Sequence, residues 1–142
     1  MRSILVATDG SDAADRAVDV AAELAKAVGG DLTLLTVGGN LSAEEIRQLS
    51  SAEKDLWDAL DSISKQLLRR GIERARRFGL AMANTHIAWG DPAAAIIETV
   101  QREAIDTLVV GRRGRGQLAG LLLGSVSQKV VTLAPCIVIV VP

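Results

Sequence analysis

Aromatic side chains are nearly absent: Trp57, Trp89 and Phe78 are the whole complement in 142 residues. A core must therefore be assembled from Val, Leu, Ile and Ala, which suits helices layered on a sheet. The same scarcity disfavours a surface that reads nucleic acid by stacking bases on rings. Cysteine is limited to Cys136. No internal disulfide and no cysteine-based zinc site can form, and a reducing compartment is expected. No apolar run reaches the roughly 18 residues of a membrane span. The opening MRSILVATDG carries too short an apolar run for a signal peptide, so a cytoplasmic protein is expected. The formal net charge is −1, which gives no overall bias toward nucleic acid or an anionic membrane.

What the chain does have is a local concentration of glycine, five of its 13 in one stretch. The stretch Gly111–Val126 reads GRRGRGQLAGLLLGSV, with Gly111, Gly114, Gly116, Gly120 and Gly124 among Arg112, Arg113 and Arg115. It starts where the apolar run Thr107–Val110 stops and ends where a helical pattern begins at Ser125. A strand, a glycine-rich loop and a helix start together make an anion site, because bare backbone N–H groups and the helix dipole can face a ligand.

The remaining elements alternate. Ser3–Thr8 (SILVAT) is a continuous β-rich run, as for a strand buried on both faces. Asp9-Gly10-Ser11-Asp12 breaks it, with Ser11 or Asp12 capping a helix over 13–28 that Gly29-Gly30 ends. Leu32–Val37 is a second strand, followed by a Gly38-Gly39-Asn40 turn. Capping-box spacings at Ser42/Glu45 and Ser50/Glu53 predict a short helix near 43–49 and a long one over 52–78, interrupted at Gly71. Its apolar positions include Leu56, Leu60, Ile63, Leu67, Ala75 and Phe78. Asn84–Trp89 is a short third strand. Asp91-Pro92 opens a helix to about Glu103, with Asp91 as cap and Pro92 first in the helix. Thr107–Val110 is the fourth strand, Ser125 caps a helix to Leu133, and Cys136–Val141 is the fifth strand. This is one α/β domain over 1–142, with a mainly parallel, doubly wound, five-stranded sheet and helices on both faces. Ligands of such sheets sit beyond the carboxyl ends of the strands, where strand order reverses. If strands one and four are neighbours, Asp9 and the glycine-rich loop meet there.

Three phosphate motifs compete for that loop. The Walker A pattern nearly fits at Gly111–Gln117, but Gln117 stands where the lysine must be. The dinucleotide pattern matches Gly114, Gly116 and Ala119, yet follows the fourth strand, and no acidic residue ends the fifth to hold a ribose. The third is Gly111-x-x-Gly114, nine residues, then Gly124-Ser125. It is similar to the ATP-binding pattern of the universal stress protein family. ILVATDGSDAADRAVDVAAELA, TLLTV, GDPAAAII and DTLVVGRRGRGQLAGLLLGSVSQKVVTLAPCIVIVVP resemble that family across nearly the whole chain except about residues 40–80.

The resemblance implies an adenine nucleotide alpha hydrolase-like fold that binds ATP, AMP or ADP, with Mg²⁺. Asp9 matches the acidic residue near the nucleoside, and Val37 the end of the strand that contacts adenine. Gly111, Gly114, Gly124 and Ser125 match phosphate and ribose positions. Ala7 and Val126 flank them and complete the candidate set together with Arg112 and Arg113, loop cations that either neutralise phosphate or are simply solvated. The resemblance also implies a homodimer through the terminal strand, whose run CIVIVV is apolar on both faces and expected at a sheet edge.

Other readings stay open. A slow ATPase or a nucleotidyl-transferring enzyme on this fold is one, although no Walker lysine, general base or second carboxylate is evident. A nucleotide-free partner-binding module is another. Arg69, Arg70, Arg74, Arg76 and Arg77 are expected to form a solvated helix face. His86 has no nucleophile paired with it by any motif, Cys136 reads as a small core residue, and Trp57 and Trp89 read as packing or partner-contact residues.

Overall fold

The apolar runs become the strands of one sheet in a computed structural model that describes residues 1–38, 53–113 and 123–142. The strands are β1 (Ser3–Ala7), β2 (Asp31–Gly38), β3 (Asn84–Trp89), β4 (Thr107–Gly111) and β5 (Ile137–Val141). The described helices are α1 (Asp12–Val28), α2 (Glu53–Arg77), α3 (Pro92–Arg102) and α4 (Ser125–Leu133). Strand order is β3-β2-β1-β4-β5 and every pairing is parallel. The predicted helix near 43–49 and the Ser42/Glu45 spacing lie outside the described residues, as do Ser50, Gly39 and Asn40.

Alternation along the strands builds two cores. Ile4, Val6, Leu34 and Val109 face α1 and α2; Leu5, Leu35, Leu108 and Val110 face α3 and α4. Each fully buried side chain of this kind contributes about 1.5–3 kcal/mol. Small residues let the helical layer on the first of these sides pack closely. Ala17, Ala21, Ala22 and Ala25 let α1 lie close on the sheet, and Gly71 does the same for α2. A Cβ at Gly71 would overlap the fully buried Leu34 side chain. Gly71 therefore does not interrupt α2, which runs through it; the missing Cβ is what allows the close approach. Phe78 falls just beyond α2 and stays exposed, so it is not a core residue as its spacing predicts.

The arginine-rich end of α2 also departs from expectation. Arg70 pairs with Asp15 of α1, and Arg74 reaches Asp19 through two bonds of 2.9 and 2.6 Å. Hydrogen bonding to Asp19 raises the Arg74 pKa against the opposing effect of burial. Two of the five arginines thus tie α2 to α1, while Arg69, Arg76 and Arg77 are exposed as expected. No described helix is long and apolar enough to cross a membrane.

Asp106 closes the amino-terminal end of the sheet. Its Oδ2 accepts from the Arg2 and Ser3 N–H groups at 2.9 and 3.2 Å, and Oδ1 accepts from the Thr107 hydroxyl at 2.9 Å. The Arg2 bond is the main reason its pKa is lowered. A carboxylate with a depressed folded pKa stabilises above its unfolded value and loses that contribution as pH falls through the folded one. The thermal midpoint gap between the parent protein and Asp106→Ala should therefore be widest near neutrality and shrink below about pH 4. A gap that stays constant down to acid pH contradicts this role.

Candidate site at the strand-order reversal

β1 sits between β2 and β4, and the order reverses there: the chain winds outward from β1 through β2 to β3, then returns to β4 and β5. The helices that follow β1 and β4 leave toward opposite faces, which opens a cleft beyond the strand ends. The two signals separated by about a hundred residues in sequence do meet, because β1 and β4 are paired from Ile4↔Thr107 to Val6↔Val109.

The cleft has two ends. Its apolar part is built by Ala7, Leu35, Val37, Pro92 and Ile96. Its polar part comes from Thr8, Asp9 and Ser11 on one side and from Gly111, Arg113 and Gly124–Ser127 on the other. Asp9 Oδ1 accepts the Ser11 N–H at 2.9 Å, which shapes the turn after β1. Ser11 Oγ then accepts the Ala14 N–H at 3.2 Å and caps α1. Ser11, rather than Asp12, is thus the cap.

Among the described residues, three helix starts line the cleft at this edge, and they are not equivalent. α1 is capped by Ser11 and carries Asp12 and Asp15 in its first turn. α3 is capped by Asp91, whose Oδ2 accepts the Ala94 N–H at 3.0 Å. At α4 the cap residue is Gly124, not Ser125, and there is no side-chain cap bond and no acidic residue in the first turn. Ser125 is instead the first helical residue and is exposed. The Gly124 N–H goes to the Arg112 carbonyl at 2.8 Å, and the first helical bond runs from Gln128 N–H to the Gly124 carbonyl at 2.9 Å. Helix geometry therefore leaves the N–H groups of Ser125, Val126 and Ser127 without an acceptor inside α4. They carry the positive end of the helix dipole to the cleft.

Several contacts hold that end rigid. Ser127 Oγ donates to the Gly111 carbonyl at 2.6 Å and is buried. Arg112 N–H donates to the Val141 carbonyl at 2.6 Å, so β5 is tied to the same loop. Gly111 has its own packing reason. A Cβ there would lie 2.9 Å from the Ala13 carbonyl carbon and 3.0 Å from Ala14 N, inside the first turn of α1.

Of the candidate residues, Ala7, Asp9, Val37, Gly111, Arg113, Gly124, Ser125 and Val126 line the cleft. Arg112 does not: its backbone bridges β5 and α4, and its Nε is buried with no hydrogen-bond partner among the described residues. Gly114 lies outside the described residues. Reasoning from sequence missed Thr8, Leu35, Ile96 and Ser127, and took Ser11 and Pro92 only as helix-start residues. The last two were accessible, since in a parallel sheet every helix following a strand begins at the same edge. Ser127 had no signal, because a hydroxyl two residues into a helix reads as an ordinary surface position.

Fold and cleft together define a doubly wound α/β protein with a cleft at the topological switch point. Within that class the chain belongs to the universal stress protein family, whose family model matches residues 1–142. It is 34% identical over 148 residues to universal stress protein YxiE of Bacillus subtilis (strain 168), a match covering 97% of each chain. Universal stress protein UspA from Lactobacillus plantarum superposes with a TM-score of 0.81 at 27% identity, covering 99% of this chain and 97% of that one. A universal stress protein crystallised in complex with cAMP superposes with a TM-score of 0.73 at 29% identity, covering 99% and 96%.

Because its neighbours are backbone atoms, Gly111→Ala forces α1 away from β4. It should cost about 1–3 kcal/mol in chemical denaturation. An unchanged unfolding midpoint contradicts the close approach.

Proposed function

We propose that this cleft binds an adenine nucleotide, ATP or its AMP and ADP relatives, and that the protein is a nucleotide-responsive regulator of stress response. The observation that carries the reading is the start of α4, uncapped and free of acid while its two neighbours are capped. A phosphate is the anion best matched to three parallel N–H donors on a helix dipole. Arg113 adds a cation on the same side. The apolar wall of Leu35, Val37, Pro92 and Ile96 fits a flat heterocycle, and Asp9 is placed to accept from ribose hydroxyls or the adenine amine. The complex of a relative with cAMP supports the adenine class.

The donor set also fits the implied metal in a limited way. Ser125 would offer a hydroxyl beside the phosphates, and Mg²⁺ arriving on them would keep most of its waters and need few protein ligands. Fixed N–H dipoles hold charge and move no protons, so the site suits retention of the nucleotide, with hydrolysis slow at most.

Ser125→Glu separates binding from folding. A carboxylate in the first turn favours the helix dipole, so thermal stability should hold or rise. The same charge repels phosphate, and calorimetric ATP affinity should fall more than about tenfold, a loss of over 1.4 kcal/mol. A folded variant that binds ATP as well as the parent contradicts the placement of phosphate at α4.

The reading extends to a symmetric homodimer through β5. β5 is an edge strand, and Ile137 is 51% exposed. Ile137 N–H and the Val141 carbonyl both face β4 and its flanks. Strand alternation then directs the N–H and C=O of Val138 and Val140 to the open edge, ready to pair with another strand. Val140→Pro removes an edge donor without touching the β4 ladder. Light scattering should show a dimeric parent and a monomeric, folded variant; a variant that remains dimeric excludes this edge.

A further inference from the structure

We propose that Trp89, buttressed by Trp57, is a positioning residue for the apolar wall of the cleft; this rests on the nucleotide reading and assigns the base end of that site. Two of the three aromatic residues in the chain meet at one point. Their rings pack edge to face, with centroids 5.1 Å apart and planes at 74°. Both stay substantially in water, at 50% and 40% exposure for Trp57 and Trp89. Rings recruited only for core stability would be covered, in a chain with so few of them.

Trp89 ends β3 and stands in register with Gly38, the end of β2. A Cβ at Gly38 would lie 2.6 Å from Cε3 and 2.7 Å from Cη2 of Trp89, so the indole lies across the bare Cα. Ile87 packs with the α1 and α2 core and Ala88 with the opposite one, which puts Trp89 on the α2 face with Trp57. The apolar wall of the cleft is on the other face. There Val37, one residue before Gly38, forms the wall. The chain leaving Trp89 turns at Gly90, φ +109°, passes the α3 cap Asp91 and enters the cleft as Pro92. Trp89 thus clamps the ends of β2 and β3 from behind and sets the positions of both Val37 and Pro92. These residues are on the β2 side of β1, and the α4 start is on the β4 side, about two strand spacings or roughly 10 Å away. Trp89 therefore acts on the base and leaves phosphate recognition alone.

The test compares ATP with inorganic tripolyphosphate by competition against a labelled nucleotide. Trp89→Ala should weaken ATP by roughly tenfold and leave tripolyphosphate within about twofold. Trp89→Phe, which keeps a ring over Gly38, should recover most of the ATP affinity. Trp57→Ala removes only an exposed buttress; it should show a smaller loss of the same kind and serves if Trp89→Ala does not fold. ATP binding unchanged in the folded variants, or an equal loss for ATP and tripolyphosphate, overturns the positioning role. A parent protein that binds neither ligand overturns the nucleotide reading itself.

Discussion

The parallel pairing of β1 with β4 is the constraint on which the rest of the structure depends. It makes β1 the point where strand order reverses, and so places the turn after β1 opposite the loop after β4. It also brings the first turn of α1 against Gly111, where a single methyl group would meet backbone. The cleft is not carved into a finished fold. It is the gap left when the helices that follow the neighbouring strands β1 and β4 leave one sheet edge toward opposite faces.

Electrostatics then distinguishes one wall of that gap from the others. Every helix following a parallel strand aims its positive end at this edge, so the default charge of the edge is positive. The chain cancels that charge at α1 and α3 with Ser11, Asp12, Asp15 and Asp91, and leaves it in place at α4. Ser127 and Gly124 hold the α4 start against the end of β4 through hydrogen bonds that do not use its three foremost N–H groups. Arg112 completes the frame from the far side through its link to Val141, which also joins the site to the β5 edge.

Much of this was legible in the sequence, for physical reasons. Runs such as SILVA and TLVV are apolar on both faces because β1 and β4 are buried on both faces, and Asp91-Pro92 marks α3 through backbone chemistry that is local. What the sequence hid depends on contacts distant along the chain. Arg70 and Arg74 read as a solvated face because their partners Asp15 and Asp19 lie 55 residues away. Gly71 read as an interruption because the side chain it makes room for, Leu34, is on another element. Gly124-Ser125 admits either residue as the cap, and local preference favours serine; the Gly124 bond to Arg112 decides otherwise. The alignment of Trp89 over Gly38 required the β2–β3 register.

The central claim is that phosphate is held by the first N–H groups of α4. Amide chemical shifts of isotopically labelled protein, followed through an ATP titration, test it directly. Saturable shifts are expected, the largest at Ser125, Val126 and Ser127, and much smaller ones at the capped Ala14 and Ala94 amides. Saturable shifts that bypass the α4 start, or no shifts at all in folded protein, would contradict it.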